Sequence, residues 1–96
     1  MPSYRLILAV GNIRPGIPAQ DVLPKAAQAL SEHANVEAFD LRINKNRPEL
    51  VLRFTATDRT EALHAATAGQ RKIQSIIEIK TATTLQRVHG RWERIG

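Results

Sequence analysis

The sequence predicts an α+β sandwich, four antiparallel strands with two helices packed on one face. Three observations carry that expectation. Apolar residues alternate with a period of two in three separate runs, and a fourth, Thr-rich run follows them. Two intervening stretches repeat their apolar residues at helical spacing. The runs fall in the order strand, helix, strand, strand, helix, strand. The chain has 96 residues, room for one core and about four to six elements.

The first strand is Tyr4 to Val10. Tyr4, Leu6, Leu8 and Val10 share one face, and Arg5, Ile7 and Ala9 the other. Gly11-Asn12 is expected to end it, and Arg14-Pro15-Gly16 signals a turn. Asp21 is the expected N-cap of the first helix, with Pro24 in its first turn, where a missing N–H costs little. Leu23, Ala27, Leu30 and Ala34 form its expected buried stripe, and Asn35 ends it.

Val36 to Asn44 reads as a strand, with Phe39, Leu41 and Ile43 on one face and Ala38, Asp40 and Arg42 on the other. Residues 44–48 form a polar hairpin loop. Glu49 to Thr57 is the third strand, Leu50, Leu52, Phe54 and Ala56 pointing in, Val51, Arg53 and Thr55 out. Asp58 followed by Glu61 resembles a capping box and starts the second helix. Its apolar period runs past Gly69 through Ile73, Ile76 and Ile77, which extends the helix to about Glu78. A rival reading stops it near Gly69 and makes 76–82 the strand. With the longer helix, the last strand is Thr81 to Val88, and 89–96 is a C-terminal tail holding the single Trp.

Two β-α-β halves in one domain spanning 1–96 are the pattern of a ferredoxin-like βαββαβ sandwich, strand order 4-1-3-2. Hydrophobic residues are 43% and charged residues 24%, which excludes wholesale disorder. The chain has no cysteine, so disulfides, thiolate nucleophiles and cysteine-ligated metals are excluded. The apolar run near the N-terminus is about seven residues, shorter than a signal peptide or membrane span requires. No membrane contact and a cytoplasmic location are expected. With 14 Lys+Arg against 9 Asp+Glu the net charge is +5, which permits an anionic partner. The basic surplus lies in residues 41–57 and 81–96.

Helices on one side leave the other side of the sheet bare, and a bare face invites a companion. The leading expectation is a non-enzymatic module that self-associates, as a homodimer, through this face and the tail. Ile7, Val51, Asp40, Arg42 and Trp92 are the candidate interface residues. Nucleic-acid binding through Arg5, Lys45, Arg47, Arg53 and Arg91 is the alternative. A third reading is a small-ligand regulatory domain or an enzyme working without a cofactor, with an enclosed pocket.

LILAVGNI, Leu6 to Ile13, resembles the opening motif of RNA-recognition motifs, and RPELVLRF, Arg47 to Phe54, sits where the second motif of that family sits. The resemblance implies base stacking on the two central strands. The matching outward positions here are Ala9, Glu49 and Val51, none aromatic. RPGI, Arg14 to Ile17, is similar to the Pro-Gly segment of ACT domains, which implies amino-acid binding at a loop before a helix. The whole pattern with its basic GRW ending also resembles small bacterial ferredoxin-like proteins of no assigned role.

His33, His64 and His89 match no zinc spacing, although the expected fold brings all three toward one end. Asp21, Asp58 and Glu61 are accounted for by helix capping. No Gly-rich phosphate loop, nucleophile elbow or His-Glu-x-x-His occurs. No catalytic residue, metal or cofactor is therefore expected.

Overall fold

A computed structural model describes all residues, 1–96. The elements are β1 (Ser3–Ile13), α1 (Ala19–Ser31), β2 (Asn35–Asn44), β3 (Arg47–Thr55), α2 (Arg59–Ile73), β4 (Ile77–Val88) and β5 (Arg91–Arg94). They form one antiparallel sheet of five strands, order β2-β3-β1-β4-β5, with two helices. The expected strands keep their neighbours, but a fifth strand extends the sheet beside β4. The expected count of four, with its 4-1-3-2 order, is corrected accordingly.

The core grows from the alternation of β1. Tyr4, Leu6, Leu8 and Val10 are buried together with Leu50, Leu52 and Phe54 of β3. Cross-strand pairing sets Tyr4 opposite Phe54, Leu6 opposite Leu52 and Leu8 opposite Leu50. The Tyr4 and Phe54 rings stack with centroids 5.6 Å apart. Both helices close the same layer. Val22, Ala26, Ala27, Ala29 and Leu30 come from α1, and Ala62, Ala65, Ala66 and Ile73 from α2. Alanine dominates the helix–helix contact, so the two axes come close. Gly69 carries this furthest, since a Cβ there would sit 2.9 Å from the Leu30 Cδ1. The expected α1 stripe is half right: Ala27 and Leu30 are buried, while Leu23 and Ala34 are only partly covered.

Several boundaries differ from expectation. α1 begins at Ala19 with Pro18 in the capping position and no side-chain cap. Asp21 is thus an acid of the first turn, favoured by the helix dipole, and Pro24 falls inside the helix. α2 ends at Ile73, not near Glu78. Ile76 and Ile77 satisfy a helical period and a strand equally well. Pairing with β1 decides for the strand, because Ile77 lies opposite Ile13 and Ile79 opposite Val10. β1 consequently continues through Gly11-Asn12, with irregular register on either side of Val10. A Cβ at Gly11 would displace the Glu78 carboxylate. That carboxylate accepts the Asn12 N–H at 3.1 Å and holds the irregularity in place.

The start of α2 follows its capping signal. The Glu61 N–H donates to Asp58 Oδ1 at 2.8 Å, and the Glu61 side chain accepts the Thr57 N–H at 3.2 Å. The β2–β3 connection is shorter than expected, a two-residue turn at Lys45-Asn46 with both residues at positive φ. His89-Gly90 makes an equivalent turn, and the tail after it is β5, paired with β4 from Val88–Arg91 to Leu85–Arg94. β2 is exposed over most of its length. Phe39, Leu41 and Ile43 lie on the helix side opposite Leu52, Leu50 and Pro48, yet are 48%, 52% and 68% exposed. No helix is long and apolar enough to cross a membrane.

Leu30→Ala is expected to lower stability by about 2–5 kcal/mol through the cavity it leaves. Gly69→Leu should cost about 1–3 kcal/mol by forcing the helices apart. Urea midpoints of the two variants against the parent measure both effects. A Gly69→Leu variant as stable as the parent would mean that the helices do not approach at this point.

Candidate anion-binding sheet face

Residues of odd number on β1 and β3 point away from the helices. Strand pairing arranges them in rows. Ala38, Arg53, Arg5, Leu85 and Arg94 form one row from β2 to β5. Asp40, Val51, Ile7 and Thr83 form the next. Arg42, Glu49, Ala9 and Thr81 form the third. The centre is apolar or small, with cations on both flanks.

The first row is electrostatically unusual. Arg5 and Arg53 are direct cross-strand partners, a like-charge pair in the middle of a sheet. Trp92, opposite Arg87 on β5, leans over them. The Arg5 guanidinium lies 4.2 Å from the Trp92 ring centroid, Arg87 5.8 Å and Arg53 6.0 Å. The indole thus provides a negative ring face to three cations, within range of cation–π attraction. This offsets their repulsion only in part. Burial, then Arg53, Arg42 and Arg87, pull the Arg5 guanidinium below its ordinary value. It remains charged at any physiological pH. Arg53 Nε is buried and has no hydrogen-bond partner within the protein. A guanidinium donor held out of water beside three other cations is suited to an anionic oxygen.

The acids on this face do not reach that cluster. Arg42 Nε donates to Glu49 Oε1 at 2.8 Å, and Asn44 reaches the other oxygen at 3.5 Å. Asp40 accepts the neighbouring Leu41 N–H at 2.8 Å. A shallow hollow of about 240 Å³ lies between Arg5, Arg42, Arg53, Ala38, Asp40 and Val51. Three guanidinium groups, the Asp40 carboxylate and apolar side chains line it.

The structure brings together Arg5, Arg53, Ile7, Val51, Asp40, Arg42 and Trp92 on this one face. Lys45 lies at the hairpin turn, and Arg47 at the start of β3 beyond Glu49. Arg91 precedes Trp92 on β5 and so projects to the opposite side of the sheet. Arg87 and Arg94 join the face without having been expected there. The one signal for them was His89-Gly90, a two-residue turn between potential strands. His33, His64 and His89 are all exposed, and no group of three or more ligating side chains is placed to hold a metal ion. No protein-family model matches the chain, and no curated protein matches it significantly.

Arg53→Gln is expected to raise stability by about 0.5 kcal/mol at low salt by removing a like-charge neighbour. The gain should shrink as salt screens the cluster. Thermal melts of parent and variant at two salt concentrations measure this. A loss of stability at low salt would show that the arginines are not in conflict.

Proposed function

We propose that this chain is a non-enzymatic binding module, a ferredoxin-like βαββαβ core widened by β5, whose open sheet face holds single-stranded nucleic acid. The carrying observation is the convergence of Arg5, Arg53 and Arg87 on one indole, with a buried Arg53 donor left unpaired. Single-strand binding needs a cationic surface along the backbone and an aromatic face for a base. Both are within reach of each other here. The Arg5 side chain can leave the indole for a phosphate and surrender the ring to a base, a rearrangement of two half-buried groups.

Charge also speaks against two copies meeting face to face. That contact would press Arg5, Arg42, Arg53 and Arg87 against their own images. Glu49 is already engaged by Arg42, so Asp40 alone would oppose them. The stacking positions of an RNA-recognition motif remain Ala9, Glu49 and Val51, so recognition by the two central strands is not the mode proposed. The indole comes instead from the edge strand.

Trp92 is the only Trp, so its fluorescence reports on the site directly. Short single-stranded RNA or DNA should quench it at low salt. With about three phosphates neutralised, the logarithm of the affinity should fall with the logarithm of salt at a slope of about −2. Trp92→Ala should cost about 1–3 kcal/mol of binding. Lack of binding at low salt, or binding that Trp92→Ala leaves unchanged, would overturn this reading.

A further inference from the structure

We infer that β2 pairs antiparallel with β2 of a second copy, in the one register centred on Leu41. The two-residue turn at Lys45-Asn46 makes Asn44 and Arg47 a hydrogen-bonded pair of β2 and β3. Alternation then turns the N–H and C=O groups of Arg42, Asp40 and Ala38 toward β3. Those of Phe39, Leu41 and Ile43 face the free edge. The Leu41 N–H agrees with this, since it donates to its neighbour's Asp40 carboxylate. An unpaired edge carrying three exposed large apolar side chains is a template for another strand.

The occupant is argued from charge. In the Leu41 register, Asp40 of each copy lies opposite Arg42 of the other on the open-face side. On the helix side, Leu41 meets Leu41, and Phe39 meets Ile43, covering the side chains that the helices leave bare. Moving the register by two residues, to centre on Asp40 or on Arg42, sets Asp40 against Asp40 or Arg42 against Arg42. The ends fit as well. The register irregularity between Val36 and Ala38 closes one end of the regular strand, and the turn at Lys45 closes the other. Residues 38 and 44 are equidistant from Leu41, so both copies stop pairing together. On association the Leu41 N–H passes to the partner's Leu41 carbonyl, which releases Asp40 for the partner's Arg42. The contact is two-fold and closed, so it yields a dimer and not a fibre. It leaves both Trp92 faces on the same side of a continuous sheet. The contact is a single pair of short strands, so a weak dimer is expected.

Sedimentation of the full chain across a concentration series tests this. Asp40→Arg sets Arg against Arg across the contact, and Arg42→Asp sets Asp against Asp. Each alone should weaken dimerisation at least about 10-fold. Mixing the two variants should restore a heterodimer, and D40R/R42D should restore the homodimer. Both substituted positions are exposed, and circular dichroism checks each fold. The inference is overturned if the parent is monomeric at about 1 mM, if the single variants dimerise like the parent, or if neither the mixture nor the double variant recovers.

Discussion

The constraint on which the rest of this structure depends is the two-residue alternation of Tyr4 to Leu8 in β1, held between two neighbours. β1 pairs with β3 on one side and β4 on the other. A slip of one residue would carry Arg5 into the core and Leu6 out of it. With both neighbours locked in register, Tyr4, Leu6 and Leu8 become the floor on which α1 and α2 rest. The same alternation that buries them delivers Arg5 to the other side, directly across from Arg53. The core and the cationic face are two consequences of one pattern.

The sheet has two surfaces with opposite deficits. On the open side, charge is in excess: guanidinium groups gather around one indole and the nearby acids are engaged elsewhere. On the helix side, apolar surface is in excess at one margin. α1 and α2 cover the middle of the sheet and the start of β2, but leave its Phe39, Leu41 and Ile43 about half or more exposed. Neither deficit serves stability. Like charges placed across a ladder cost free energy, and exposed apolar edges invite association. Their coexistence in a domain with an otherwise well-closed core is what directs attention to both places.

Much of this was legible in the residues. The alternation of 4–10 and 49–57, the Asp58–Glu61 cap and the outward positions of Arg5, Arg42 and Arg53 all follow from local pattern and recur in the structure. What escaped depends on partners distant in the chain. Ile77 and Ile79 fit a helix or a strand until β1 is there to pair with them. Arg-Trp-Glu-Arg has no apolar alternation, and only the His89-Gly90 turn and the β4 edge make it a strand. Phe39, Leu41 and Ile43 alternate just as a buried strand would. Whether a helix is wide enough to shelter them cannot be read from their spacing. The meeting of Trp92 with Arg5 was hidden for the same reason, since it requires β5 to be recognised as part of the sheet.

The central position of β1 has a consequence for how the chain is made. The strand that every other layer leans on is made before the other strands, and its second neighbour, β4, ends only at Val88. At roughly 5–20 residues per second, the most apolar ribbon of the molecule waits for roughly 4–15 s before both flanks are filled. During that interval its N–H and C=O groups and its leucines are available to any passing chain. The hazardous moment for this protein is therefore its synthesis rather than its maturity, because the finished core is not yet there to shelter the strand.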